Sequence, residues 1–418
     1  MTHPPSEAAV PTDESDFFVR ALTQSDWPAA KAVDAAAFGY EPDEDYLDNV
    51  SLPAQDISRF TGVFDPALDR LLIGIGAIQS RCLTLPGSGP SPVAAVTWVG
   101  VRPDQQRRGV LRHLMKAQLH GLHESTAESI AILTASEAAI YGRFGYGPAI
   151  RTVRLELPAP TALRPGIRTE PVLELEPAMA LPRLKEIHAA VQPAFVGYLD
   201  RPEAVWNSLL TEHPFAQKGR GPRRIAVHSE GYIVFRLSES WTDRGPDYTL
   251  AISEICAATP IARASLWQHV LCYPLVRRVE FPKAWLDEPL PEMLTDPRSI
   301  SSDLGDHVWV RLVDLSRAIE LRTYSAPADV VVKVSDGFCR WNDNNWRLHL
   351  TANGGSATAS VEPAEVDLDI ADLGAAFLGG TRIARLFEAG RVTGALDAVA
   401  VLDAALATPL APWTPEGF

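Results

Sequence analysis

Residues 96–109 read VTWVGVRPDQQRRG, and this run constrains the fold more than any other stretch of the chain. An apolar, β-branched segment reaches a proline and then a basic turn that closes on Gly109. The segment that follows, VLRHLMKAQLHGLHES, places leucine or methionine at 111, 114, 115, 119 and 122. The first part reads as a buried strand, and the spacing of the second is that of a helix. A strand that turns through glycine into a helix presents free N–H groups and a partial positive charge at the turn. Such a turn is a ready phosphate site, with Gln106, Arg107 and Arg108 adding donors and Gly109 letting the backbone come close. An ordinary strand–loop–helix with a solvated basic turn is the competing reading.

The neighbouring sequence has a consistent grammar. FFVRALTQSDWPAAKAVDAAAF reads as a strand and a helix, with Ser25 or Asp26 as its cap. An acidic cluster follows at Glu41, Asp43, Glu44, Asp45 and Asp48. SRFTGVFD, LLIGIGAIQSRCLTL and VAAVTWVGV are strand-like, with the turn GSGPS between the last two. AILTAS is a further short strand, and AAIYGRF a brief helix ending at Gly145. A proline-rich linker then leads to residues 170–305, which repeat the pattern. There Cys256-Ala-Ala-Thr-Pro-Ile-Ala stands where the basic glycine turn would be, without glycine or a Gln/Arg cluster. From about 306 the text changes to strand-rich and then helical. At 418 residues, with about 150 per domain as a guide, the chain divides into 1–158, 166–305 and 306–418. The fold class expected is mixed, α+β.

Net charge is −14, from 38 basic and 52 acidic residues. That argues against nucleic acid or an anionic membrane as partner and favours a cationic substrate. Cys82, Cys256, Cys272 and Cys339 are scattered without zinc spacing, as reduced thiols of a cytoplasmic protein would be. No metal site is expected: His113, His120 and His123 share a helix but have no facing carboxylate. The polar, acidic residues 1–16 read as a frayed tail rather than a signal peptide. The acidic cluster at 41–48 is either a solvated loop or an aid to polyamine capture.

About thirty residues after the basic turn, SEAAIYGRFGYGP at 136–148 sets Tyr141 in a glycine-rich segment. Together the two stretches resemble the acyl-CoA site of the GCN5-related N-acetyltransferase (GNAT) superfamily. Its pattern, Gln/Arg-x-x-Gly-x-Gly/Ala, is met by Gln106-Arg107-Arg108-Gly109-Val110, while Leu111 departs from the last position. Amine acetylation needs a neutral amine, a polarised thioester carbonyl and a proton for the leaving thiolate. A tyrosine with a pKa of about 10 suits the last task, and Tyr141 is placed for it, with Tyr146 as rival. Backbone N–H groups on Trp98, Val99, Gly100 and Val101 suit the carbonyl oxygen.

The resemblance extends to a family. VRPDQQRRGVLRHLM, TASEAAIYGRFGYGPA, SEGYIVFRL, VWVRLVDLSRAIELRTY and the terminal phenylalanine are similar, in colinear order, to the enhanced intracellular survival (Eis) family. Those proteins acetylate aminoglycosides and proteins. The resemblance implies two tandem GNAT folds, only the first using acetyl-CoA, then a domain like sterol carrier protein, in a homohexamer. Carried over by position, Val99, Val101, Gln106, Arg107, Gly109 and Ser136 contact CoA, and Tyr141 is the general acid. The terminal carboxylate of Phe418 is the general base, Trp98 and Tyr324 line the amine pocket, and Phe38 lies near its mouth. Two departures bear on amine choice: Gly417 separates Glu416 from the terminal residue, and Gly39-Tyr40-Glu41 displaces a carboxylate after Phe38. Alternative readings are a lysine acetyltransferase and a non-enzymatic lipid carrier, with GAAFLGG and ALDAVAVLDAAL lining a tunnel instead of filling a core.

Overall fold

The computed structural model describes residues 17–51, 55–213, 217 and 219–418. The expected frayed tail at 1–16 lies outside the described residues. β1 (Phe18–Ala21), β2 (Phe60–Asp65), β3 (Leu71–Leu85) and β4 (Gly89–Val101) form an antiparallel run. α1 (Trp27–Phe38) and α2 (Glu44–Tyr46) lie between β1 and β2. α3 (Val110–Ser125) follows β4 and leads to β5 (Ile130–Thr134), parallel to β4. α4 (Ala138–Tyr141) and β6 (Gly147–Pro158) complete the first stretch. α3 occupies the residues that the leucine spacing assigned to it, because Leu114, Met115, Leu119 and Leu122 all face inward. Asp26 does not cap α1 through its side chain; its carboxylate turns back to the Thr23 N–H and to Arg20.

The second stretch builds strands Leu173–Leu175, Arg223–His228, Gly231–Ser238, Tyr248–Ala257 and Val276–Trp285, with helix Pro260–Leu271 between the last two. The two stretches share one twelve-stranded sheet. Strand Ser301–Leu312 lies between β5 and β6, and β6 pairs on its other side with Val276–Trp285. Each half is therefore closed by a strand from the other half's sequence. The boundary expected between 305 and 306 falls inside that strand. The reason is edge closure: β5 and β6 would each leave open N–H and C=O groups without it.

The third stretch carries a five-stranded sheet built on Asn344–Thr351, Ala328–Ser335 and Val366–Asp369. Helices Leu315–Glu320, Ile370–Ala376 and Leu396–Leu406 contribute to its core. That core continues into the large sheet, where Ile319, Leu373, Phe377 and Leu402 share a cluster with Leu83, Val93, Ile132 and Val310. The opposite face of the sheet is covered by α3, which packs on Val96 and Leu133. The apolar residues considered for a lipid tunnel, among them Leu378, Val399 and Leu406, are buried in this shared core. No helix among the described residues is long and apolar enough to cross a membrane.

Candidate active site

The site begins where two strands part. β4 and β5 pair only over Ala94–Ala131, Ala95–Ile132 and Val96–Leu133, and beyond these they diverge. On its other edge β4 carries an irregularity: the register passes from Thr97 opposite Ala77 to Gly100 opposite Ile75. Trp98 sits in this bulge with φ of 53°, a conformation unusual for a bulky residue. The bulge swings Trp98 and Val99 to the gap between the strands. A cavity of about 670 Å³ opens there, lined by Phe38, Trp98, Val99, Ser136, Tyr141 and Phe418. Six of the residues expected at the site from sequence are thus brought together.

Gly100 and Val101 continue β4 toward the basic turn, with Gly100 packed under α1 against Ala37. The turn itself exposes Gln106 and Arg107, and Arg107 has no ion-pair partner among the described residues. Gly109 adopts φ of 84°, the left-handed region that favours glycine, and α3 begins at Val110 with no side chain capping its N–H groups. Those donors and Arg107 make an anion site of the chemistry that a pyrophosphate needs. Val110 is buried against Gly74, so only its backbone can serve. Arg108 departs from expectation. Its guanidinium lies 2.8 Å from the buried Asp65 carboxylate, bonds to Gln105 and stacks on Phe17, so its charge is already matched within the protein.

Tyr324 is not brought to the cavity. It is buried in the third stretch, where its hydroxyl donates to the Ile319 carbonyl at 2.8 Å and its ring lies against Arg322. Its assignment as a pocket residue is corrected accordingly. The acidic cluster is largely exposed but several of its carboxylates are engaged within the chain: Glu44 and Asp48 hold Lys31, Asp43 caps Tyr46, and Asp45 faces His213. His120 and His123 pack on Trp341, with the latter ring stacked at 4.1 Å.

Several cavity residues were not anticipated. Asp34 lies one helical turn before Phe38 on the same face of α1, and that i, i+4 spacing was a readable signal. Burial raises its carboxyl, opposed by a 2.5 Å hydrogen bond from Tyr40, which also lines the cavity. Lys283, Asp306 and His307 arrive on strands of the second stretch, which no local motif could announce. His307 is pushed down to about 4 by burial and then by Lys283, although the Glu416 and Thr414 carbonyls favour its protonated form. Tyr141 is 5% exposed; burial and then Glu137 raise its phenol above the usual value, opposed by a hydrogen bond with Ser136. The phenol therefore keeps its proton at neutral pH. Phe418 reaches the mouth of the splay, where an oxygen of its terminal carboxylate accepts from Thr134 Oγ1 at 2.8 Å.

This arrangement agrees with what the chain is similar to. Models of a GNAT acetyltransferase domain match residues 18–149 and 197–312, and a sterol carrier protein domain matches 315–415. An uncharacterised N-acetyltransferase of Streptomyces avermitilis is 33% identical over 96% of this chain and 99% of its own length. N-acetyltransferase Eis of Mycobacterium tuberculosis is 29% identical over 92% of this chain and 96% of its own. The chain belongs to the Eis family. The crystal structure of Eis1 from Mycobacterium abscessus superimposes with a TM-score of 0.83 at 28% identity, covering 96% of this chain and all of that one. The protein is accordingly a GNAT-superfamily N-acetyltransferase with two GNAT units and a sterol-carrier-like domain. GNAT acetyltransferases use acetyl-CoA. As an Eis-family member this chain has the open N-terminus of α3 and the parted strands that such a cosubstrate requires.

Proposed function

We propose that this protein transfers acetyl from acetyl-CoA to a primary amine of a cationic small molecule, aminoglycosides being the class tested first. One observation carries the reading: Tyr141 and the terminal Phe418 line the same cavity at the parting of β4 and β5. Gln106, Arg107, Gly109 and the first N–H groups of α3 would hold the pyrophosphate, and the edges of β4 and β5 the pantetheine arm. The cosubstrate supplies an acyl group already activated as a thioester. The Phe418 carboxylate takes a proton from the ammonium group, freeing its lone pair to attack the thioester carbon. A backbone N–H of the bulged β4, where it has left β5, steadies the carbonyl oxygen as charge builds on it. The nitrogen then gives up its second proton to solvent, the carbon–sulfur bond breaks, Tyr141 returns a proton to sulfur, and the Phe418 carboxyl releases its proton to solvent. The products are an amide, a free thiol and one released proton, and Tyr141 is reprotonated from solvent.

Aromatic faces from Phe38, Tyr40, Tyr46 and Trp98, with the Asp34 carboxyl, suit a cation with flat apolar faces. A homohexamer in the cytoplasm remains part of the same proposal. The test is free-thiol release over aminoglycosides, polyamines and lysine peptides, with the wild type beside a chain lacking Phe418. Turnover on one amine class that drops about a hundredfold without Phe418 supports the reading. Undiminished turnover of the shortened chain rules out the carboxylate as base.

A further inference from the structure

The second GNAT unit has its own parting of strands. Tyr248–Ala257 and Val276–Trp285 pair in parallel from Tyr248 to Ala251 and from Val276 to Glu280, as β4 and β5 do, and then diverge. The helix that follows the first of these strands does not present an open N-terminus: Thr259 caps Ala262 and Pro260 stands at its start. The cleft is filled by the chain's own end. Trp285 Nε1 donates to the Ala411 carbonyl at 2.7 Å, and the Ala411 N–H reaches Asp287 at 2.6 Å. Trp413 is 1% exposed, sits among Phe195, Tyr198 and Phe281, and donates from Nε1 to the Lys283 carbonyl at 3.0 Å. Its own N–H bonds to the Val196 carbonyl, beside Gly197, where φ of 95° and a Cβ that would fall 2.9 and 3.0 Å from the Trp413 backbone N and O leave no room for a side chain.

Past this anchor the tail is gripped by charge. Glu416 is buried and accepts a hydrogen bond from Arg201 Nε, while Arg201 Nη2 lies 2.8 Å from Glu254 on the diverging strand. Tyr232 donates to the same Glu254 at 2.6 Å, and Arg81 of β3, held by Asp200 at 3.0 Å, stands 3.9 Å from Glu416. Glu416 also borders a smaller cavity of about 220 Å³ that shares Trp98 and Phe418 with the main one. Two residues later the chain ends at Thr134 in the first parting. A carboxylate enclosed this way is committed to its guanidinium partners, and losing its charge would leave Arg201 buried with half its compensation. The geometry points to a function for the second unit: its cleft is a socket for residues 411–418, and Glu416, through Arg201, is a positioning residue that fixes the terminal carboxylate in the first unit's active site. This rests on the proposed function only for its catalytic consequence. The socket itself can be tested without turnover.

The experiment exposes the full-length protein to carboxypeptidase Y and follows removal of Phe418 by intact mass. Glu416→Gln keeps the shape and removes the charge; the inference expects trimming about tenfold faster than in the wild type, measured well below the variant's lowered Tm so that global unfolding does not contribute. Glu416→Asp keeps the charge, is expected to fall between the two, and serves as the variant of record if Gln prevents folding. In parallel, kcat for amine acetylation is expected to fall about tenfold in Glu416→Gln with the KM for acetyl-CoA unchanged, a split that general loosening would not give. Equal trimming rates in variant and wild type overturn the inference whatever the transferase assay reports. Faster trimming with undiminished kcat supports the socket and instead removes the terminal carboxylate from the mechanism.

Discussion

Tyr141→Phe separates the chemical role of this residue from its packing. The ring belongs to the cluster formed with Leu133, Phe144 and Tyr146, so phenylalanine fills the same space and opens no cavity. Losing the buried hydroxyl costs at most about 1 kcal/mol of stability. A positioned general acid contributes about 10²–10⁴ in rate, or roughly 3–5 kcal/mol of barrier, so the chemical loss exceeds the structural one several-fold. The pH dependence gives an independent check. Burial and Glu137 raise the phenol, so it stays protonated throughout pH 7 to 9. The ratio of wild-type to variant kcat should therefore be flat over that range. Initial rates of thiol release with the best acceptor amine, calorimetric binding of acetyl-CoA and thermal unfolding together measure all three quantities. Tyr146→Phe is the matched control, because that hydroxyl is buried with no hydrogen-bond partner among the described residues. A Tyr141→Phe kcat within about threefold of wild type, or a loss confined to acetyl-CoA binding, would falsify the assignment. A loss in Tyr146→Phe alone would transfer the role to that residue.

The remaining predictions concern individual side chains. Arg107→Ala is expected to weaken acetyl-CoA binding by about tenfold, whereas Arg108→Ala should cost about 1–2 kcal/mol of stability by stranding Asp65 and change binding less; calorimetry and urea unfolding decide, and the reverse pattern restores Arg108 to the phosphate site. Tyr324→Phe should lose about 1 kcal/mol with its bond to Ile319 and leave acceptor KM unchanged, so a raised KM would return Tyr324 to the pocket. His307 contributes a pH dependence. Its folded pKa of about 4 lies below the unfolded value of about 6.5, so the unfolded chain binds the extra proton and stability falls as pH drops from 7 to 4, by about 3 kcal/mol. Urea titrations across that range should show a shallower fall in His307→Asn, and parallel curves would mean that His307 is not held neutral.

What the sequence disclosed about this site depended on distance along the chain. The parted strand, the uncapped helix and Tyr141 all fall within residues 96–148, where hydrophobic spacing and glycine placement specify local geometry. Arg108 looked equivalent to Arg107 because both are exposed bases in one turn. Only the folded chain brings up Asp65, at the end of β2, to claim one and leave the other. His307 and Lys283 were beyond reach for a different reason. Both stand on strands that enter the first unit's neighbourhood through the exchange around β6, and no periodicity in either strand records which sheet position it will take. The role proposed for Phe418 rests on family resemblance alone, since a terminal WTPEGF has nothing local to order it.

That exchange also explains why a degenerate unit persists in an enzyme that binds its cosubstrate only once in this reading. Strand Ser301–Leu312 pairs with β5 on one side and β6 on the other, so the first unit's sheet cannot close without the second stretch. The same stretch supplies Arg201 and Glu254 to hold Glu416, and Lys283 and His307 to the cavity wall. The third stretch packs its core on the large sheet and ends in the tail that crosses both partings. A terminal carboxylate is ordinarily the most mobile group in a chain. Here it is confined by an indole in a closed pocket, a buried ion pair and a threonine hydroxyl, drawn from all parts of the sequence. Because none of these contacts lies within the first unit's own hydrophobic core, the proposed acid and the proposed base respond to different parts of the molecule. Substitutions in the second unit should therefore impair proton removal from the amine while proton return by Tyr141 stays intact.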